Sequence, residues 1–278
     1  MFISFKAVLI GGVISISFLS CKKNLAEIKV QTAPLFETKP ANLIPFTREV
    51  NENVGGYYMG IPVRYDSTDK LYPLLLFIPG AGQFGNGGID LPKLLKEGPI
   101  QLLEEKIFPP NFKVNDQNFS FLIAAPQFRN YPGTGHLKSF IDDIKKRYRV
   151  DTTRIYIAGL SIGGRMTCDF AAEYPTELAA IVPMAGVSSN STDLAEKTRK
   201  IAAANLPVWV FHNEDDFIFK ISEPITFVSK LNSFLPQTRA KLTTWPTGGH
   251  DAWSKASDPK FTENNLNIYE WMLQYKRL

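Results

Sequence analysis

From about residue 44 onward the hydrophobic positions switch repeatedly between two periods. Short runs rich in β-branched and aromatic residues are followed by longer stretches with helical spacing. Residues 47–50 and 57–64 predict a β-hairpin around 51–56. Residues 71–78 are almost continuously apolar and stop at Pro79-Gly80, as a strand covered on both faces does. The pattern then predicts a helix within 91–106, a strand over 119–125, a helix over 136–148, and a strand over 154–158 that leads into a helix over 165–173. Further strands are predicted at 179–184, 207–211 and 240–244, with helices at 193–204, 223–234 and 264–275. An antiparallel start followed by β-α alternation predicts an α/β domain with one mixed, mostly parallel sheet and helices on both faces. Active residues on such a sheet collect at the carboxyl ends of the strands.

The first 43 residues follow a different pattern. Lys6 is the only charge before an apolar stretch over 7–19, which is short for a membrane span and fits a signal sequence. Phe18-Leu19-Ser20-Cys21 follows, a small residue directly before a cysteine. This resembles a bacterial lipoprotein cleavage site, although Phe18 stands where leucine is commoner. Residues 1–20 are therefore expected to be a signal peptide and Cys21 a lipidated first residue. Residues 21–43, polar and proline-dotted, read as a tether, and 44–278 as the catalytic domain. The expected location is the bacterial cell envelope, periplasmic or at the cell surface. The alternative is an ordinary signal peptide with an incidental cysteine.

Composition adds exclusions. Of the 278 residues 44% are hydrophobic and 21% charged, enough to bury one large core. The net charge of +4 is spread without a basic block, so nucleic acid is not an expected partner. The two cysteines, Cys21 and Cys168, give neither a disulfide framework nor a zinc spacing, and no metal is expected. Cys168 falls in the 165–173 helix, where a buried, inert thiol is the default.

The candidate chemistry centres on Gly159-Leu160-Ser161-Ile162-Gly163-Gly164, between a predicted strand and a predicted helix. A serine in that setting sits on a tight elbow that lifts Oγ clear of the sheet, with small neighbours to admit the close backbone. A histidine and an acid make such a serine nucleophilic. Of the three histidines, His136 opens a predicted surface helix and His212 ends a strand, where it is expected to pack under the loop that follows. His250 lies in a late loop after Gly248-Gly249 and is the candidate base. Asp216 is the candidate acid, with Asp215 adjacent to it and pointing elsewhere. The order serine, aspartate, histidine is that of α/β-hydrolases. Ile162 and Ala81 are candidates to supply two oxyanion N–H groups, Ala81 from the loop Pro79-Gly80-Ala81-Gly82-Gln83. That loop lacks the Lys-Ser/Thr ending of a nucleotide-binding loop. Phe128, Tyr131 and Trp253 are candidate substrate contacts, able to stack on a sugar or an aromatic acyl group, or equally to be rim packing.

The chain resembles secreted α/β-hydrolases of the polyhydroxybutyrate-depolymerase and feruloyl-esterase type, including the group labelled predicted peptidases. The residues that carry this are 74–82, Lys96-Glu97-Gly98-Pro99, Ala124-Ala125-Pro126-Gln127, 150–164, 208–216, Gly249-His250-Asp251-Ala252-Trp253 and 268–273. The resemblance implies an α/β-hydrolase fold, a Ser-Asp-His triad, no cofactor, and hydrolysis of esters on plant polysaccharides or polyesters. Its acid loop usually reads His-Gly-x-x-Asp, which, counted from His212, selects Asp216. Two departures stand out: Pro79 replaces the histidine usual before the oxyanion glycine, and Asn213 the glycine usual after His212. The expected activity is that of a serine carboxylesterase acting outside the cytoplasm on an ester, including acyl groups of polysaccharides. A serine peptidase on the same triad and a non-catalytic binding module on a hydrolase scaffold are the rivals. The lack of a large lid or added propeller leans toward the esterase, and the intact triad argues against the binder.

Overall fold

The computed structural model describes residues 36–188 and 193–277. The expected signal peptide, Cys21 and the tether up to residue 35 lie outside the described residues.

Among the described residues, ten strands and seven helices follow one another in the order β1 (Asn42–Phe46), β2 (Val54–Ile61), β3 (Tyr72–Ile78), α1 (Gly98–Glu104), β4 (Phe112–Val114), β5 (Gln117–Phe119), β6 (Leu122–Phe128), α2 (Thr134–Arg147), β7 (Val150–Leu160), α3 (Ile162–Glu173), β8 (Ala180–Met184), α4 (Leu194–Ala203), β9 (Trp209–Asn213), α5 (Ser222–Ser233), β10 (Lys241–Trp245), α6 (Trp253–Ala256) and α7 (Ile268–Leu273). Eight of the strands form one sheet in the order β1-β2-β6-β3-β7-β8-β9-β10; β4 and β5 form a separate hairpin. The β1-β2 and β2-β6 pairings are antiparallel, and all others in the large sheet are parallel. This is the α/β architecture expected from the sequence.

Alternation along the central strands assigns the two faces. Leu74, Leu76, Ile78, Ile155 and Ile157 pack on Phe140, Ile144, Met166, Phe170 and Phe227 from α2, α3 and α5. Leu75, Phe77, Tyr156 and Ala158 face the other way, toward Ile100 and Leu103 of α1 and Ile268, Trp271 and Met272 of α7. Both faces are covered, which is why β3 reads as an unbroken apolar run. Each of the Leu, Ile, Phe and Met side chains among them contributes about 1.5–3 kcal/mol when fully buried.

Several boundaries differ from expectation for local reasons. The first strand lies at Asn42–Phe46, before the predicted 47–50; Phe46 pairs with Tyr57. Pro45 obscures it in the sequence, although an edge strand tolerates proline. Asn51 turns the chain, its Oδ1 accepting from the Asn53 and Val54 amides at 3.0 and 2.9 Å. The folded unit also takes in residues before 44: Glu37 is buried and its carboxylate accepts from the Arg64 amide at 3.1 Å. The helix predicted within 91–106 is broken into a 3₁₀ segment, Leu91–Lys96, and α1. Gly98 breaks it with φ +58°, and a Cβ there would come within 2.2 Å of the Phe77 ring. The last helix begins at Ile268, not 264. Asn264 and Asn265 have left-handed φ, and Asn267 caps the helix by accepting from the Glu270 amide at 2.9 Å.

Candidate active site

The site is assembled at the carboxyl ends of β7, β9 and β10. Ser161 joins β7 to α3 with φ 53° and ψ −121°, a strained conformation for a non-glycine residue. Its amide donates to the Met184 carbonyl at 2.8 Å. The turn passes so close to β3 that a Cβ on Gly163 would lie 2.2 Å from the Ile78 carbonyl oxygen. On the other side, the sheet register pairs Trp245 with Asn213. The loops that follow β9 and β10 therefore leave the sheet side by side, one carrying Asp216 and the other His250.

These three residues meet. Ser161 Oγ lies 2.8 Å from His250 Nε2, and His250 Nδ1 lies 2.8 Å from Asp216 Oδ2. A carboxylate only accepts, so Nδ1 carries the proton and Nε2 is left to accept from the serine hydroxyl. Asp216 is buried, and its Oδ1 accepts from the Ile218 and Phe219 amides at 2.8 and 3.0 Å. The acid is thus held from one side by backbone and presented to the histidine from the other. Asp215 points away, as expected of one of two neighbours. Its Oδ1 accepts from the Gly249 amide at 2.7 Å, and Asn213 Nδ2 donates to the Gly249 carbonyl at 3.1 Å. Asp215 and Asn213 thereby fasten the histidine loop.

The other histidines lie where the sequence suggests. His212 is fully buried and its Nε2 donates to the Phe219 carbonyl at 2.9 Å, so it braces the acid loop from beneath. His136 is on α2 with Nε2 2.8 Å from a Glu52 carboxylate oxygen. Cys168 is buried, and burial pushes its thiol well above the ordinary range.

The two candidate oxyanion donors flank the serine. Ile162 opens α3, and Ala81 opens a 3₁₀ turn, Ala81–Gln83; the first N–H groups of a helix have no acceptor within it. The Ala81 loop is close, since a Cβ on Gly80 would stand 3.5 Å from Ser161 Cβ. Buried Gln127 secures this loop. Its Nε2 donates to the Gln83 and Asp90 carbonyls at 2.9 and 2.7 Å, and its Oε1 accepts from the Gly87 amide at 2.8 Å. Gln127 belongs to the stretch Ala124-Ala125-Pro126-Gln127 that carries the resemblance, but the sequence does not signal this bracing role.

Of the candidate substrate contacts, Trp253 is set edge-on to His250 with ring centroids 5.3 Å apart, and its Nε1 donates to Glu97 Oε2 at 2.6 Å. Burial raises the Glu97 carboxyl above its ordinary value, with the Trp253 bond opposing and the Asp251 charge adding to the rise. Tyr131 is 42% exposed, its hydroxyl donating to Asp169 Oδ2 at 2.9 Å. Phe128 is not a surface contact: as the last residue of β6 it points into the core and is fully buried. Phe219, unforeseen, lies 5.6 Å from the His250 ring. Among the described residues, no group of three His, Cys, Asp or Glu side chains is placed to hold a metal ion, and no helix is long and apolar enough to cross a membrane.

Residues 130–258, the stretch that contains Ser161, Asp216 and His250, match the family described as Phospholipase/Carboxylesterase. The fold aligns with that of a thermostable esterase at a TM-score of 0.60, covering 85% of this chain and 63% of that one at 22% identity. The chain has the α/β-hydrolase fold. The chain is also 25% identical over 138 residues to a bifunctional acetylxylan esterase/xylanase of Neocallimastix patriciarum, a match covering 50% of this chain and 18% of that protein. It is 40% identical over 82 residues to poly(3-hydroxyalkanoate) depolymerase C of Paucimonas lemoignei, 29% of this chain and 20% of that protein. The chain thus spans a minor part of the curated relatives it matches. The resemblance drawn from the sequence, to hydrolases of the esterase and polyester-depolymerase type, agrees with these relatives.

Proposed function

We propose that this hydrolase is a serine carboxylesterase that cleaves its ester through Ser161, His250 and Asp216. The observation that supports this most is the unbroken line of hydrogen bonds from Ser161 Oγ through both ring nitrogens of His250 to Asp216. His250 Nε2 takes the hydroxyl proton as Ser161 Oγ bonds to the ester carbonyl carbon. Charge moves onto the carbonyl oxygen, where the Ile162 and Ala81 N–H groups stabilise it. As the tetrahedral species collapses, the C–O bond to the alcohol breaks and the alcohol leaves with the proton from His250. Water then attacks the acyl-serine with the same base, releasing the acid and restoring Ser161. Asp216 fixes the histidine tautomer and stabilises the imidazolium. No cofactor enters any step.

Acyl groups on polysaccharides are the proposed substrates. The acetylxylan esterase relative supports this, as do Tyr131 and Trp253, aromatic surfaces suited to a sugar ring or an aromatic acyl group. A panel of short acyl esters, feruloyl esters, acetylated xylan and aminoacyl amides, run with a fluorophosphonate probe, tests the reading. Ester turnover with an adduct on Ser161 is expected. Amide cleavage outrunning ester cleavage would turn the reading to a peptidase, and a folded protein without an adduct would turn it to a binding module.

The proposed location is the outside of a bacterial envelope membrane, with lipid on Cys21. A single acyl chain anchors marginally and several anchor stably, so the mature protein is expected to sediment with membranes. Cys21→Ser should release it. An unmodified mature N-terminus at another residue, read by mass spectrometry, overturns the anchor and leaves the esterase reading standing.

A further inference from the structure

Arg165 stands one helical turn from Ser161 on α3, its amide donating to the Ser161 carbonyl at 3.1 Å. Helical side chains tilt toward the helix N-terminus, so the stem of Arg165 runs back over the turn that carries Ser161 and Ile162. Asp169, four residues further on, is within ordinary reach for a helical ion pair. That pair does not form, because Asp169 is already taken: Oδ1 accepts from Lys197 Nζ at 2.8 Å and from the Ser188 hydroxyl, and Oδ2 from the Tyr131 hydroxyl. Arg165 Nε is buried without an acceptor, and the guanidinium has no hydrogen-bonding or carboxylate partner among the described residues. Its charge reaches the Tyr131 phenol, where it opposes the upward push of burial and of Asp169. Arg165 is therefore an unpartnered cation one helical turn from the serine, with a charge felt at the exposed Tyr131. A partly buried guanidinium forfeits water that a bound anion can replace through its fork of donors.

We propose that Arg165 is a specificity-determining residue that selects esters bearing a carboxylate near the scissile bond. Half-esters of dicarboxylic acids present it on the acyl side, and esters of hydroxy acids or acidic sugars on the alcohol side. The proposal rests on Ser161 being the nucleophile.

The test measures kcat/KM of the full chain on two matched pairs. Mono(4-nitrophenyl) succinate against 4-nitrophenyl butyrate places the carboxylate on the acyl side. 3-Acetoxybenzoate against 3-acetoxybenzamide places it on the alcohol side. Wild type is expected to favour the charged member of one pair, and added salt to weaken the preference. Arg165→Gln should lower that ratio by about tenfold or more. Arg165→Lys, which keeps the charge and loses the fork, should retain part of it and serves if the glutamine variant does not fold. No preference in either pair, or a ratio unmoved in both variants, overturns the proposal while the esterase reading stands. Failure to hydrolyse any of the four esters overturns both.

Discussion

Replacing Ser161 with alanine is expected to lower kcat on any accepted ester by on the order of a millionfold, the loss seen when a serine hydrolase gives up its nucleophile. The reason is that, among the described residues, no second group is placed to attack. His250 Nε2 points at Ser161 Oγ, and the nearby Cys168 thiol is buried and kept protonated by its surroundings. The fold should survive. The strained φ of 53° belongs to the elbow, where β7, β8 and α3 converge, and alanine keeps the same Cβ. Only one side-chain hydrogen bond is lost, and catalytic groups often sit at some cost to stability. The thermal midpoint should therefore stay close to that of wild type. Active-site titration with a chromogenic acetate ester measures the rate, and a variant within about tenfold of wild type would remove Ser161 from the mechanism.

The elbow was legible in the sequence because its determinants are local. Small residues beside Ser161 are required within a few positions of it, and the strand and helix on either side have distinct periods. The acid and base were legible as loops after strands, but their meeting depends on β9 and β10 lying side by side, a pairing between distant segments. Groups that act through buried polar contacts left no pattern. Gln127 braces the Ala81 loop from inside β6, where its neighbours Pro126 and Phe128 are buried too. Phe128, a candidate substrate contact or rim residue from sequence, lies in the core instead, since an aromatic at a strand end looks alike whether it faces a cleft or the core. Pro45 hid β1, since a proline in a short strand is informative only once the strand is known to lie at the sheet edge. Arg165 is visible in the sequence as a charge near the serine, but its significance lies in the competition for Asp169, which only the packing of α3 against Lys197 and Tyr131 reveals.

Asp216→Asn should reduce kcat by roughly ten-thousandfold, and Asp215→Asn by less than about tenfold, although the two residues are adjacent. The structure gives the reason for the first. The Ile218 and Phe219 amides both donate to Asp216 Oδ1, so an introduced asparagine must place its carbonyl oxygen there. Its NH₂ then faces His250 Nδ1, where only an acceptor suits the catalytic tautomer. The ring answers by moving its proton to Nε2, the nitrogen that must accept from Ser161, and the base is lost with the geometry intact. Turning the amide over would instead set its NH₂ against two backbone donors in a buried site, at a cost of about 1–3 kcal/mol for each unmet group. At Asp215 the side chain is exposed and its main partner is the Gly249 amide, which an asparagine oxygen can still receive. The histidine loop should keep its place, with a small rise in mobility as the charge is lost. Rates for the two variants, measured beside a nitrogen-15 spectrum of the imidazole to read which nitrogen holds the proton, decide the matter. A crippled Asp215→Asn enzyme beside a normal Asp216→Asn enzyme would mean that the neighbouring acid serves His250 in solution.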